Sequence, residues 1–145
     1  MTPPFVLDTS ALLAHCLEES GYQIVEDLLE QHPDEVLISA MTWLEFQVRL
    51  EEIHPDSAAR SEILECYADL LADPVPINKE VVNVALIIRA EVGRRLPNAD
   101  AIIAATAKLR DATLVHRDPH LAAIPPTLVR QIVLPEKTKA IKSKK

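Results

Sequence analysis

The apolar residues of this chain form short continuous runs, separated by longer segments in which they recur at helical spacing. The runs typical of buried strands are Phe5-Val6-Leu7, Val36-Leu37-Ile38, Thr113-Leu114-Val115 and Gln131-Ile132-Val133-Leu134. The spacing predicts helices over residues 11–19, 22–31, 41–53, 57–71, 79–94 and 99–109. Residues 73–77 supply a turn and a short strand or connector. Strands that alternate with helices predict an α/β fold with a mostly parallel sheet.

Two acidic residues follow predicted strands. Asp8 comes directly after the first strand, and Asp118 comes shortly after the third. Because ligands of an open parallel sheet bind beyond the carboxyl ends of its strands, both side chains are expected at that rim. The alternative is that each acid merely begins a turn. The hydroxyls of Thr9 and Ser10 can cap the helix that follows Asp8.

Two further acids lie in predicted helices. Asp100 occupies the first turn of an alanine-rich helix, where the helix dipole alone would explain an acid. That helix is apolar around most of its circumference, however, and a buried carboxylate needs a compensating partner. Glu45 borders one of two apolar faces of the helix over 41–53, and taken alone it is a solvated glutamate. A helix with two apolar faces is either sandwiched within the domain or contacts a partner subunit.

Composition narrows the class of protein. The 145 residues, 48% of them hydrophobic, fit one domain over residues 1–134 and a basic, solvated tail over residues 135–145. No apolar run is long enough to span a membrane, and the first residues lack the basic segment of a secretory signal. The sequence therefore indicates a cytoplasmic protein without a membrane role.

Charge constrains any interaction with nucleic acid. The formal net charge is −7, although residues 137–145 contain five lysines and no acid. Such an acidic body cannot attract a polyanion through its overall field, so metal ions or local basic patches would be needed. Carboxylates within about 4 Å of one another repel by on the order of 4 kcal/mol per pair at an effective dielectric constant near 20. A cluster of these acids would take up protons or bind a hard cation such as Mg²⁺ or Mn²⁺.

Four segments resemble, in order and spacing, the motifs of PIN-domain proteins, particularly the VapC-type toxins of bacterial toxin–antitoxin pairs. They are residues 6–14 around Asp8, 38–45 ending in Glu45, 98–107 around Asp100 and 114–118 ending in Asp118. The segments around Asp8 and Asp100 are the specific ones. The resemblance implies a three-layer sandwich with about five mostly parallel strands, a Mg²⁺ or Mn²⁺ site and cleavage of single-stranded RNA. It also implies a homodimer and inhibition by a cognate antitoxin protein.

The resulting hypothesis is a metal-dependent endoribonuclease that cleaves single-stranded RNA by metal-activated water. Its predicted catalytic residues are Asp8, Glu45, Asp100 and Asp118, and the predicted metal ligands among them are Asp8, Asp100 and Asp118. The predicted substrate contacts are Thr9, Ser10, His116 and Arg117. Many relatives carry Thr or Ser where His116 stands. Since Pro119 prevents His116 and His120 from sharing a helical face, both are interpreted as surface or substrate-facing rather than as metal ligands.

Two alternatives were weighed against this hypothesis. The chain could be a PIN-like binding module that is catalytically weak and acts mainly through complex formation. A phosphotransfer domain of the receiver type is also an α/β sheet with an acidic pocket, but it would carry a lysine after a late strand. The sequence Leu114-Val115-His116-Arg117 supplies none, so the receiver type is disfavoured.

Overall fold

The structure is a computed structural model that describes residues 3–93 and 95–137, and within these ranges the chain forms four strands and seven helices. The strands are β1 (Phe5–Leu7), β2 (Val36–Ile38), β3 (Thr113–His116) and β4 (Gln131–Val133). The helices are α1 (Thr9–Cys16), α2 (Tyr22–Gln31), α3 (Ala40–Ile53), α4 (Ser57–Leu70), α5 (Lys79–Val92), α6 (Asn98–Leu109) and α7 (Pro119–Ala122).

The four strands form one parallel sheet in the order β2-β1-β3-β4. In the register of this sheet, Val6 of β1 lies opposite Leu37 of β2 and Leu114 of β3. The pairing of β1 with β3 continues one residue beyond β1, where the Asp8 N–H donates to the carbonyl oxygen of Val115 at 3.1 Å. The carboxyl ends of β1 and β3 therefore lie side by side, and Asp8 lies at their junction.

Helices cover both faces of the sheet. On one face, Leu7 and Val115 pack with residues of α1, α2, α3 and α4, including Phe46. On the other face, Val6 and Leu114 pack with residues of α5 and α6. Successive residues of a strand point to opposite faces, and because both faces are covered the strands read as continuous apolar runs. The predicted α/β three-layer sandwich is confirmed.

The described residues contain four strands where about five were expected. Val75, in the predicted connector, makes a single parallel bridge with Ser39 beyond β2. Its N–H donates to the carbonyl oxygen of Ile38 at 2.8 Å. The carbonyl oxygen of Val75 accepts the N–H of Ala40 at 2.9 Å, and since α3 begins at Ala40, directly after Ser39, the pairing does not extend further along the chain.

Three helical segments also differ from the prediction by two residues or more. α1 covers Thr9–Cys16 rather than residues 11–19. α5 ends at Val92 rather than at residue 94, because Gly93 follows with φ +112°, a conformation that other residues rarely adopt. The four-residue helix α7, which begins with Pro119, was not predicted. Within the described part of the chain, no helix combines the length and the apolar character that a membrane span requires.

The predicted tail is only partly described, since residues 138–145 lie outside the described ranges. Its first residues contact the domain. A Cβ placed on Gly21, which has φ +88°, would stand 2.7 Å from Cδ of Pro135. Lys137 pairs with Glu19, with Nζ 3.2 Å from Oε2. The segment up to Lys137 is therefore anchored to the turn between α1 and α2.

Candidate active site

Asp8 is buried at the end of β1, with 3% of its surface exposed. Its Oδ1 accepts hydrogen bonds from the Ala11 N–H at 2.8 Å and from the Ser10 hydroxyl at 2.7 Å. Burial raises the pKa of Asp8 to about 7; these hydrogen bonds oppose the rise, and the charges of Asp118 and Asp100 add to it. The side chain is therefore poised between binding a proton and carrying a charge that needs a cation.

Asp100 and Asp118 approach Asp8 from two helices. Asp100 lies in the first turn of α6, and Asp118 is the N-cap of α7. The pKa of Asp100 is raised to about 6, first by burial and then by the charge of Asp118; the charge of His120 opposes this rise, and Glu45 makes a smaller contribution that adds to it. The charges of Asp118 and Glu45 raise the pKa of Asp100, and the charges of Asp118 and Asp100 raise the pKa of Asp8. The four predicted acids therefore lie near one another.

Glu45 is held at the site by Thr9, whose hydroxyl donates to Oε1 of Glu45. The hydroxyl of Ser10 in turn bonds both carboxylate oxygens of Asp8, at 2.7 and 2.9 Å. The prediction that these two hydroxyls cap the first helix was wrong, because the carboxylate of Asp8 caps α1, which starts at Thr9. Both hydroxyls orient acids of the site, and their predicted contact with substrate stays a prediction.

His120 joins the acids instead of standing apart from them. Its Nδ1 lies 3.2 Å from Oδ1 of Asp118 and 3.8 Å from Oδ2 of Asp100. One ligand atom from each of these three residues lies within 4.8 Å of the other two, which makes them a group that could hold a metal ion. Pro119 is the first residue of α7 and Asp118 is its cap, so His116 at the end of β3 and His120 in α7 share no helical face, as expected. The interpretation of His120 as surface-facing did not include its place beside Asp118 and Asp100. An Asp-Pro pair is a helix-start signal that could have revealed this turn.

His116 is fully buried and supports the backbone of Asp118. The side-chain nitrogen of Gln131 donates to the carbonyl oxygen of Ile124 at 2.7 Å, so Oε1 of Gln131 is the atom that faces Nε2 of His116 at 2.8 Å. Nε2 must therefore carry the proton, and Nδ1 accepts the N–H of Asp118 at 3.0 Å. Burial lowers the pKa of His116, which favours this neutral ring. The predicted substrate contact by His116 was wrong, since its ring lies in the interior.

Arg117 is engaged by Glu19, and its side chain is 10% exposed. Its backbone N–H donates to the hydroxyl of Ser10 at 3.1 Å, while Nη1 has no hydrogen-bond partner among the described residues. Burial opposes the ionisation of Glu19, but the hydrogen bonds and charges of Arg117 and Lys137 hold its pKa below the ordinary value. The pair with Glu19 joins the loop before α7 to the α1–α2 turn, and the predicted contact of Arg117 with substrate stays a prediction.

The chemistry of the site follows from its donors. Two of its carboxyl groups, Asp8 and Asp100, have raised pKa values, because burial and repulsion between the acids outweigh the hydrogen bonds to Asp8 and the charge of His120 beside Asp100. A divalent cation would offset both effects at once. Carboxylate oxygens suit Mg²⁺ and Mn²⁺, and the imidazole of His120 adds a nitrogen donor at the edge of the group.

Structural comparison identifies related folds among solved proteins. VapBC2 from Rickettsia felis, bound to a DNA fragment from its promoter, has a TM-score of 0.71 at 20% identity and covers 90% of this chain and 98% of its own. DNA-bound VapBC from Salmonella typhimurium also has a TM-score of 0.71, at 19% identity, with 91% and 98% covered. VapBC-5 from Mycobacterium tuberculosis, a member of the VapBC family of toxin-antitoxin systems, has a TM-score of 0.62 at 27% identity, with 90% and 99% covered.

Sequence comparison assigns the family. No curated protein matches the chain. A family model described as the PIN domain matches residues 5–125, a range that contains the four acids and His120. The resemblance based on the four motifs is thereby confirmed, and the chain belongs to the PIN-domain family.

Proposed function

We propose that this chain is a divalent-metal-dependent endoribonuclease that cleaves single-stranded RNA and serves as the VapC-type toxin of a toxin–antitoxin pair. The observation that carries the proposal is the convergence of Asp8, Glu45, Asp100 and Asp118 at the carboxyl ends of β1 and β3. Burial, Asp118 and Glu45 all raise the pKa of Asp100. Such a cluster favours a bound cation over four uncompensated charges.

The donors fit a hard divalent cation. Asp100 and Asp118 would hold it, and Asp8 and Glu45, close by, would bind it directly or through water. When bound, the cation supplies charge neutralisation for the scissile phosphate and a water of lowered pKa. This would allow an acidic protein of net charge −7 to act on a polyanion. Thr9 and Ser10 keep the carboxylates of Glu45 and Asp8 in place.

The partners follow from the family and from the structural neighbours. VapBC-5 and another toxin–antitoxin complex share this fold at 27% and 26% identity, which supports a cognate antitoxin for this chain. We place the protein in the cytoplasm on the same ground.

A homodimer is supported by the exposed apolar residues on two helices. Leu44 and Val48 lie one turn apart on α3 and are 59% and 48% exposed. Val82 and Leu86 lie one turn apart on α5 and are 40% and 57% exposed. Exposed apolar patches of this kind mark contacts with partners. Light scattering should give twice the mass of one chain, and the Leu44→Glu, Val48→Glu double variant should give the mass of one; a monomeric wild-type protein would contradict the dimer.

The proposed activity is tested with a labelled pool of transfer RNAs and unstructured RNA, titrated with Mn²⁺ or Mg²⁺. Cleavage should require the metal and stop with EDTA. Asp8→Asn and Asp100→Asn should each lower the rate at least about 100-fold, since each removes a charge that holds the cation. Asp56→Asn is the matched control, because Asp56 is an exposed N-cap aspartate on α4.

Two results would reject the assignment. One is full activity of the Asp8 or Asp100 variant, and the other is cleavage that EDTA does not change. Absence of turnover together with tight binding of an antitoxin would favour the alternative, a PIN-like module that acts through complex formation.

A further inference from the structure

His120 is the one imidazole among the described residues that shares a group of potential metal ligands with acids of the site. It is about half exposed, with 53% of its side chain accessible, whereas the side chains of Asp100 and Asp118 are 15% and 25% exposed. The ring therefore covers the two carboxylates from the solvent side. A nitrogen donor in this place changes which cations the site prefers.

The separations between donor atoms fit coordination of a single ion. Ligand atoms about 2.1 Å from an ion stand about 3 Å apart at right angles and about 3.5 Å apart in a tetrahedron. Nδ1 of His120 lies 3.2 Å from Oδ1 of Asp118 and 3.8 Å from Oδ2 of Asp100. Both separations lie within a few tenths of an ångström of these values, and the three donor atoms all lie within 4.8 Å of one another.

The backbone fixes these donors in advance. Oδ1 of Asp118 accepts the N–H of His120 at 2.8 Å, so the cap of α7 holds the carboxylate and the ring of the same turn together. The next residue, Leu121, is fully buried and anchors α7 in the core. On the other side, His116 accepts the N–H of Asp118. A ligand set held this way pays little conformational entropy when the ion binds.

From these contacts we infer that Nδ1 of His120 is a direct ligand of a divalent cation shared with Asp100 and Asp118, and that this nitrogen makes the site select Mn²⁺ over Mg²⁺. The inference deepens the proposed function, because it concerns the same site. Mg²⁺ demands oxygen ligands in near-ideal octahedral geometry and retains several of its waters. Transition-metal ions accept imidazole readily, so the nitrogen contributes affinity for Mn²⁺ that Mg²⁺ does not receive.

The test measures metal binding directly, without RNA. Mn²⁺ and Mg²⁺ are titrated into the full-length chain and into His120→Gln, with Mn²⁺ followed by electron paramagnetic resonance and both by calorimetry. His120→Gln should weaken Mn²⁺ binding by about 10- to 100-fold, the range known for perturbed metal sites, and should leave Mg²⁺ binding within about threefold. Nitrogen coupling in the electron spin echo of bound Mn²⁺ should be present in the wild type and lost in the variant.

The matched control is His54→Gln. His54 follows the last turn of α3, nine residues beyond Glu45, which corresponds to about 13 Å along a helix axis. This variant should bind both ions as the wild type does and retain the nitrogen coupling. Thermal unfolding of each variant without metal establishes that the fold is intact.

The alternative role for His120 is a counter-charge to Asp118 and Asp100. In that case its removal would free the carboxylates, and His120→Gln would bind Mn²⁺ equally well or more tightly. Any of three outcomes would overturn the inference: that result, an equal weakening of Mn²⁺ and Mg²⁺ binding in His120→Gln, or absence of nitrogen coupling in the wild type. Since no step uses RNA, a failure of RNA cleavage alone would reject the proposed function and leave the inference intact.

Discussion

The two ends of helix α1 carry polar groups in opposite situations. At the N-terminal end, Asp8 meets the like charges of Asp100 and Asp118, and burial raises its pKa to about 7. At the C-terminal end, both ring nitrogens of His15 have partners: Nδ1 lies 2.6 Å from the hydroxyl of Tyr67, and Nε2 lies 2.6 Å from a carboxylate oxygen of Glu26. At the N-terminal end of α1, like charges repel one another. At the C-terminal end, which we call the satisfied end, each ring nitrogen of His15 has a hydrogen-bond partner.

The partners at the C-terminal end also limit the donor roles. The carboxylate of Glu26 can only accept, so Nε2 of His15 donates to it, and in the neutral ring Nδ1 accepts the hydroxyl proton of Tyr67. The hydrogen bond from His15 lowers the pKa of Glu26, which keeps this carboxylate ionised as an acceptor. Burial raises the pKa of Tyr67, which keeps its hydroxyl protonated as a donor. Buried polar groups that complete one another in this way stabilise a fold, whereas buried like charges mark a place that an ion must complete.

The largest expected effect on the free energy of unfolding is at the N-terminal end of α1, where Asp8 meets like charges. In protein freed of metal with EDTA, Asp8→Asn should raise the free energy of unfolding by about 2 to 4 kcal/mol at pH 8. The pKa of Asp8 is higher in the folded chain, about 7, than its ordinary value of 3.8, so the wild type loses stability as pH rises from about 4 through 7. The variant lacks this loss, and the difference should vanish near pH 3. Urea unfolding at pH 3, 6 and 8 measures it.

A control for this prediction is again Asp56→Asn. Asp56 caps α4 through the N–H of Ala58 and is exposed, so its replacement should change stability by no more than a few tenths of a kcal/mol at any of these pH values. A pH-independent effect of Asp8→Asn, or a loss of stability at pH 8, would show that Asp8 carries no electrostatic penalty.

The satisfied end should respond in the opposite direction. His15→Leu removes the acceptor for the hydroxyl of Tyr67, which is 5% exposed, and should lower the free energy of unfolding by about 2 kcal/mol. Glu26 lies near the surface and regains water, so its loss of the same partner should matter little. Urea unfolding at pH 7 checks the change, and Mn²⁺ binding should be unaffected. Stabilisation by His15→Leu would erase the contrast between the two ends of α1.

The contrast also explains how much of the fold could be predicted from the sequence. β1, β2 and α2 were predicted with their observed bounds, because apolar runs and helical spacing report burial directly. In place of the fifth strand, Val75 makes a single bridge with Ser39, the last residue before α3. α7 was missed because four residues are too few to show a helical period.

Asp8, Asp118 and Asp100 could be singled out because they follow strands or stand in the first turn of a buried helix, whereas Glu45, in the second turn of α3, was singled out only through the resemblance to PIN-domain proteins. What the sequence could not supply was the direction of neighbouring side chains. β3 runs through His116, which turns that ring into the core, where Gln131 receives it. Arg117 forms an ion pair with Glu19, 98 residues away in the chain. Such pairings depend on tertiary contacts that no local pattern encodes.

The smallest expected effect separates the hydrogen bond of the satisfied end from its packing. Tyr67→Phe keeps the edge-to-face contact with Phe46, whose ring centroid lies 5.3 Å away, and removes only the hydroxyl. Since the half-buried His15 then loses one partner, stability should fall by about 1 kcal/mol. The double variant His15→Leu, Tyr67→Phe has no orphaned hydroxyl and should be less destabilised than the sum of the single changes, by about 1 kcal/mol or more. If the losses of stability in the two single variants simply add, the 2.6 Å hydrogen bond between His15 and Tyr67 contributes nothing beyond packing. The two ends of α1 would then differ only in charge.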